Sequence, residues 1–145
     1  MNRILSGQVQ DQFITAAYLW LDTEIRQGLY SAAGHPALLR WRAQELERME
    51  SNGLVLGITA DSEYPVCEIP LNSGDRFLLY TDGVVEPENP AGEFFGDHKL
   101  EEIVRNNHSC LPLKLSEELL SGIRHWRPAS VPQQDDITLI IVDVV

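Results

Sequence analysis

Gly74-Asp75-Arg76-Phe77-Leu78-Leu79-Tyr80-Thr81-Asp82-Gly83-Val84-Val85-Glu86 (GDRFLLYTDGVVE) is the stretch on which the fold turns. Arg76 to Thr81 is a nearly continuous apolar run, as expected of a strand buried on both faces. Before it, Asn72-Ser73-Gly74-Asp75 carries the residues of a hairpin turn, and Asp75 reads as part of that turn. After it, Asp82 follows at once, at the C-terminal end of the strand, with Gly83 beside it. Glu86 to Gly92 holds Pro87 and Pro90 and must be a loop.

Upstream of this stretch the chain reads as strands. Met1 to Ser6 resembles the last turn or two of a helix, stopped by Gly7, and Gln8 to Gln12 reads as a mobile loop. Phe13 to Leu21, Leu29 to Ala33 and Ala37 to Arg42 are strand-like, with a turn over Thr23 to Gly28 and a break at Gly34-His35-Pro36. Glu45 to Glu50 reads as an exposed strand after a tight turn, Asn52 to Asp61 as a loop, and Val66 to Leu71 as an alternating strand. Downstream come two helices. Asp97 is a plausible N-cap for the first, with Leu100, Ile103 and Val104 as its apolar stripe. Pro112 suits the first turn of the second, whose buried face is Leu115, Leu119, Leu120, Ile123 and Trp126. Ile137 to Val145 closes the chain as a buried strand. Strands, then helices, then one more strand predict an α+β fold with helices on a mostly antiparallel sheet.

Composition bounds the function. One domain fits 145 residues, with 43% apolar and 23% charged residues. No apolar run approaches a membrane span and no h-region follows the N-terminus, so a cytoplasmic protein is the default. A formal net charge of −11, from 22 acidic and 11 basic residues, argues against nucleic acid or membrane partners. That charge suits divalent cations, and equally suits a plain solvated surface. Cys67 reads as a core filler and Cys110 as a loop thiol, with no spacing that suggests zinc. His35, His98, His108 and His125 show no i, i+4 pairing.

Two acidic points carry chemistry. Asp82 ends a buried strand, and Asp135-Asp136 opens the last one. A carboxylate at the mouth of an apolar strand is costly unless it is paired, hydrogen-bonded or metal-bound. Oxygen-only ligands suit Mg²⁺ or Mn²⁺. Gly83 would let the backbone pass close to an ion or its waters. Alternation along a strand sends Asp135 and Asp136 to opposite faces, so only one of them meets the ion. Asp-Gly and Asp-Asp are also ordinary turn and loop-end pairs, and spacing alone does not bring Asp82 beside Asp135.

The ordered set of blocks resembles the SpoIIE-type branch of the PPM (type-2C) metal-dependent serine/threonine protein phosphatases. Phe13-Ile14-Thr15-Ala16, Ala32-Ala33-Gly34-His35-Pro36, Leu56-Gly57, the Gly74 to Glu86 stretch, Phe95-Gly96 and Asp135-Asp136-Ile137-Thr138-Leu139 match family blocks in the family's order over nearly the whole chain. The resemblance implies an α-β-β-α sandwich with two divalent ions, Mn²⁺ or Mg²⁺, between its sheets. The ions activate a water that attacks phosphoserine or phosphothreonine, and no protein nucleophile is needed. Asp82 and Asp135 are the implied metal ligands, with Gly83, Asp136, His35 and Glu86 as supporting residues: His35 fixes the turn before Pro36 and Glu86 braces its loop. The implied substrate is a phosphorylated regulatory protein, such as an anti-sigma-factor antagonist. The family's opening G-D-x-x-D and D-x-x-G-H-G blocks have no counterpart here, so the expectation is the C-terminal part of one phosphatase domain, with opening strands missing. Weak metal binding, low activity and self-association through uncovered sheet edges follow. The alternative is a catalytically inactive phosphatase-like module that grips a regulatory partner.

Overall fold

A computed structural model describes residues 2–6, 13–50 and 53–145. The elements run α1 (Asn2–Leu5), β1 (Ala16–Asp22), β2 (Gln27–Ala33), β3 (Leu38–Arg42), β4 (Glu45–Met49), β5 (Cys67–Pro70), β6 (Arg76–Tyr80), a 3₁₀ turn (Asp82–Val84), α2 (Gly96–Asn106), α3 (Pro112–Trp126) and β7 (Leu139–Asp143). The α+β class with antiparallel sheets is therefore observed. The loop expected over Gln8 to Gln12 lies outside the described residues. Two compact units divide the chain.

One unit takes the segments up to Ala37, Met49–Asp75 and Val144–Val145. Its sheet has the order β1-β2-β5. The β1–β2 hairpin forms because Asp22 Oδ1 accepts the N–H groups of Glu24 and Ile25, at 2.9 and 3.1 Å, a side-chain-built turn. Tyr30, Ala32, Ala33, Leu56, Ile69 and Leu71 are among its buried residues. Gly34 is there by necessity: its φ is +59°, and a Cβ would lie 2.2 Å from Val55 Cγ1. The short α1 is tied down by Asn2, whose Nδ2 donates to the Thr59 carbonyl at 2.7 Å and whose Oδ1 accepts Gly57 N–H at 2.9 Å.

The other unit takes Leu38–Arg48 and Arg76–Asp143. Its sheet has the order β4-β3-β6-β7. A two-residue turn at Ala43 (φ 49°) and Gln44 (φ 70°) joins β3 to β4, and two left-handed residues match the twist of a tight hairpin. Helices α2 and α3 cover one face of this sheet. Leu39, Leu78 and Tyr80 from the strands share a core with Val84, Phe95, Leu100, Val104, Leu115, Leu119 and Ile123. On the opposite face of β6, Phe77 is fully buried and Leu79 partly buried. Arg76, also buried, points its Nε and Nη2 at both oxygens of Asp143, at 2.6 and 2.7 Å, and donates to the carbonyls of His108 and Cys110. It thereby joins β6 and the edge strand β7 to the loop between the helices.

Four expectations need correction. Asn72 to Asp75 is a turn, with Asp75 Oδ2 accepting Asn72 N–H at 2.8 Å, but it closes no hairpin. β5 pairs with β2, whereas β6 pairs with β3 and β7. Gly74 N–H goes to the Val144 carbonyl instead, at 2.8 Å. Asp97 does not cap α2; Phe95 holds that position without a side-chain bond, and Asp97 sits in the first turn, where it accepts the Tyr80 hydroxyl and pairs with Arg48. The last strand lies at the edge of its sheet rather than buried, so Ile140 is half exposed. Asp135 and Asp136 precede that strand in irregular backbone, and strand alternation does not govern where they point.

Candidate functional site

The antiparallel register pairs Tyr80 with Leu139, so the C-terminal end of β6 lies beside the N-terminal end of β7. Thr81 then fastens the two segments beyond the strands. Its N–H donates to the Thr138 carbonyl at 3.1 Å. Its hydroxyl accepts Thr138 N–H at 2.9 Å and donates to the Asp136 carbonyl at 3.0 Å. A hydroxyl that both donates and accepts is the side chain this double bridge requires.

Past Thr81 the chain coils into the 3₁₀ turn, with the N–H groups of Val85 and Glu86 returning to the Asp82 carbonyl at 2.8 and 2.9 Å. This exposes the Asp82 side chain at the lip of the sheet, half-buried. Gly83 is buried directly under the Asp136 carbonyl: an added Cβ would lie 2.4 Å from its oxygen. The predicted need for glycine is thus met by a close backbone, that of the acidic segment itself.

Asp82 Oδ1 accepts Gly83 N–H at 3.0 Å, and Asp135 Oδ1 accepts Asp136 N–H at 2.7 Å. Among the described residues the Oδ2 atoms of both carboxylates are free. Asp135 and Asp136 are exposed, and the Asp135 carbonyl accepts Gln133 Nε2 at 2.8 Å. Glu86 has an exposed side chain; its backbone, through the bond to Asp82, does the bracing. His35 lies in the other unit, where its Nδ1 donates to the Pro36 carbonyl at 3.1 Å and fixes the turn before the proline. A narrow cleft beside Asp135 is lined by Gly83, Glu86, Pro87, Arg127 and Gln133.

The donor chemistry fits a hard divalent cation: two aspartates, oxygen only, over a glycine that a side chain would displace. The number of donors falls short. Among the described residues no three His, Cys, Asp or Glu side chains group so as to hold a metal ion. Two residues of the site were not singled out from sequence. Thr81 is a plain hydroxyl within an apolar run, and Arg127 follows a helix and precedes a proline, so neither advertises its contacts.

Comparison with known proteins adds the following. The family description Stage II sporulation protein E (SpoIIE) matches residues 1–145. The chain is 28% identical over 147 residues to the phosphoserine phosphatase RsbU of Bacillus subtilis, covering 98% of this chain and 42% of RsbU. It superposes on the SiaA-PP2C domain of Pseudomonas aeruginosa with a TM-score of 0.81 at 23% identity, over 90% of this chain and 52% of that one. The manganese-presoaked phosphatase domain of the cell fate determinant SpoIIE from B. subtilis gives 0.70 at 15% identity, over 90% and 56%. The chain therefore spans less than half the length of RsbU and about half of each structural neighbour. Among the described residues no helix is long and apolar enough to cross a membrane.

Proposed function

This chain belongs to the SpoIIE family, and from that premise we propose that it contributes a two-aspartate half-site to a metal-dependent protein serine/threonine phosphatase in bacterial signalling. The observation that carries the reading is the seating of the Asp136 carbonyl, one residue after Asp135, on Gly83, next to Asp82, within one unit of the fold. Asp82 and Asp135 would hold Mn²⁺ or Mg²⁺, which when bound supplies the activated water for phosphoester hydrolysis. Thr81 and Gly83 hold the two ligand-bearing segments together, Glu86 closes the turn behind Asp82 through its backbone, and Asp136 caps the Asp135 carboxylate. The substrate class is a phosphorylated regulatory protein of the cytoplasm, of the kind an anti-sigma-factor antagonist represents; RsbU, by name a phosphoserine phosphatase, supports the phosphoserine part of this.

Titration calorimetry with Mn²⁺ tests the site. Two carboxylates leave most of an octahedral shell to water, so binding by this chain alone is weak, and it disappears in Asp82→Asn and Asp135→Asn. Binding that ignores both substitutions refutes the assignment. The short donor count favours a second reading, a phosphatase-like module that grips a regulatory partner without catalysis. Turnover of a phosphoserine peptide with Mn²⁺ that is lost in Asp82→Asn marks an enzyme and refutes the inactive module.

A further inference from the structure

Arg127 follows the last residue of α3, and its N–H donates to the Ile123 carbonyl at 2.9 Å, finishing the helix. Its Nη1 donates to the Val131 carbonyl at 2.8 Å, while Val131 N–H returns to the Pro128 carbonyl at 2.9 Å. The guanidinium thus anchors the loop that delivers Asp135. Arg127 also lines the cleft that Gly83, Glu86 and Asp135 share, as the one cation among its described lining residues. Its Nε is buried, and among the described residues it has no partner. A buried donor without an acceptor is a penalty that a correctly placed oxygen removes.

The cleft has a volume of about 10 Å³. That is about the space of one water. Apart from such a water, the acceptors on offer are those of the walls. Among the lining acceptors, Asp135 stands out, because its Oδ2 is free and it sits on the loop that Arg127 itself anchors. Arg76 shows the same chemistry completed elsewhere in this unit, with its Nε edge laid against the carboxylate of Asp143.

We propose that Arg127 is a positioning residue for Asp135, its Nε–H holding the Asp135 carboxylate in its ligating orientation when a divalent cation binds. The inference rests on the reading of Asp135 as a metal ligand. Ligating carboxylates are held in turn by outer donors, and loss of such a donor lowers metal affinity about 10–100-fold. Lysine keeps the charge but lacks the planar fork, so it does not restore the effect.

The test uses the whole chain with Mg²⁺ or Mn²⁺ alone as the probe. In the parent chain, Mg²⁺ shifts the Arg127 Nε–H resonance, and Asp135→Asn abolishes that shift. Mn²⁺ affinity by calorimetry falls about 10–100-fold in both Arg127→Met and Arg127→Lys. Thermal unfolding of each variant separates this from a merely structural loss, because Arg127→Lys retains the fold while losing the affinity. An Nε–H resonance that stays still while Mn²⁺ broadens the amides of residues 81–83 and 135–138 overturns the role of Arg127 and leaves the metal site standing. Absence of that broadening overturns both. A shift abolished by Glu86→Gln and retained in Asp135→Asn assigns the guanidinium to Glu86 and overturns the proposal.

Discussion

Gly83→Ala is the sharpest probe of how the acidic segments are held. Gly83 has no left-handed backbone, so alanine brings no conformational strain and only space is tested. The new Cβ would sit 2.4 Å from the Asp136 carbonyl oxygen and 3.0 Å from its carbon, whereas Cβ atoms essentially never come within 3.0 Å of a neighbour. Both obstacles are backbone, so no side chain can swing aside. The 135–138 segment must lift, and it is held by the Thr81 hydroxyl through Asp136 and Thr138. Forced overpacking costs about 1–3 kcal/mol, and weakening those two hydrogen bonds adds about 0.5–1.5 kcal/mol for each. A loss of about 2–6 kcal/mol lowers the melting temperature by roughly 6–24 °C for a chain of this length. Thermal unfolding reads the loss, and amide shifts of Asp136, Ile137 and Thr138 read the displacement. Gly92→Ala is the contrast: there φ is +78° with open space around it, so it costs about 1–2 kcal/mol of backbone strain and leaves those amides unmoved. A Gly83→Ala chain with parental stability and unshifted amides would refute the close-contact argument.

Arg76→Met leaves Asp143 and the carbonyls of His108 and Cys110 without their donor; urea unfolding should show a loss of about 2–4 kcal/mol, held below the fully buried limit because Asp143 is partly exposed. Burial, and then the negative charge of Asp97, push the Tyr80 phenol well above its ordinary range. Its folded form is therefore the protonated one: the contribution to stability is whole below about pH 10, the unfolded value, and is lost as pH rises above it. Phenolate absorbance should show a late-titrating component that is lost in Tyr80→Phe. β1 pairs with β2 alone among the described strands, and Phe13 and Tyr18 are 68% and 63% exposed, so sedimentation velocity should show association that grows with concentration; an ideal monomer throughout would count against it.

The parts of the fold that could be read from sequence are those set by near neighbours. The run from Phe77 to Tyr80 is apolar at every position and is the central strand. Pro112 opens α3, and the leucines at 115 and 119 with Ile123 form its buried face. The errors fall where a partner distant in sequence decides. Turn chemistry at Asn72 to Asp75 specifies a reversal, not which strand lies alongside afterwards; that depends on β2 and β7, far away on either side. Asp97 has the side chain of a cap, yet Tyr80 and Arg48 claim it, and Gly96 at φ +76° starts the helix without one. Ile137 to Val145 is as apolar as β6, but position at a sheet edge, which composition does not record, leaves Ile140 uncovered.

At the site the same division has a physical consequence. Asp82 and Gly83 could be picked out because a carboxylate at the mouth of an apolar strand is costly unless something pairs with it, and the glycine follows it directly. Thr81 could not, since its work is done 55 and 57 residues away. Yet Thr81 is what makes the arrangement possible in a chain of charge −11. Like charges at the end of two strands repel, and Arg40 is paired with Glu47, Arg48 with Asp97 and Glu101, and Arg76 with Asp143. The backbone of the two acidic segments is joined by a neutral hydroxyl and by contact over a glycine. Neutral hydrogen bonds are little affected by salt or by an arriving ion. Holding the backbone with uncharged groups leaves the Oδ2 atoms of Asp82 and Asp135 open, and a cation arriving there would relieve the repulsion between the two acidic segments while an outer donor such as the proposed Arg127 Nε–H orients the Asp135 carboxylate.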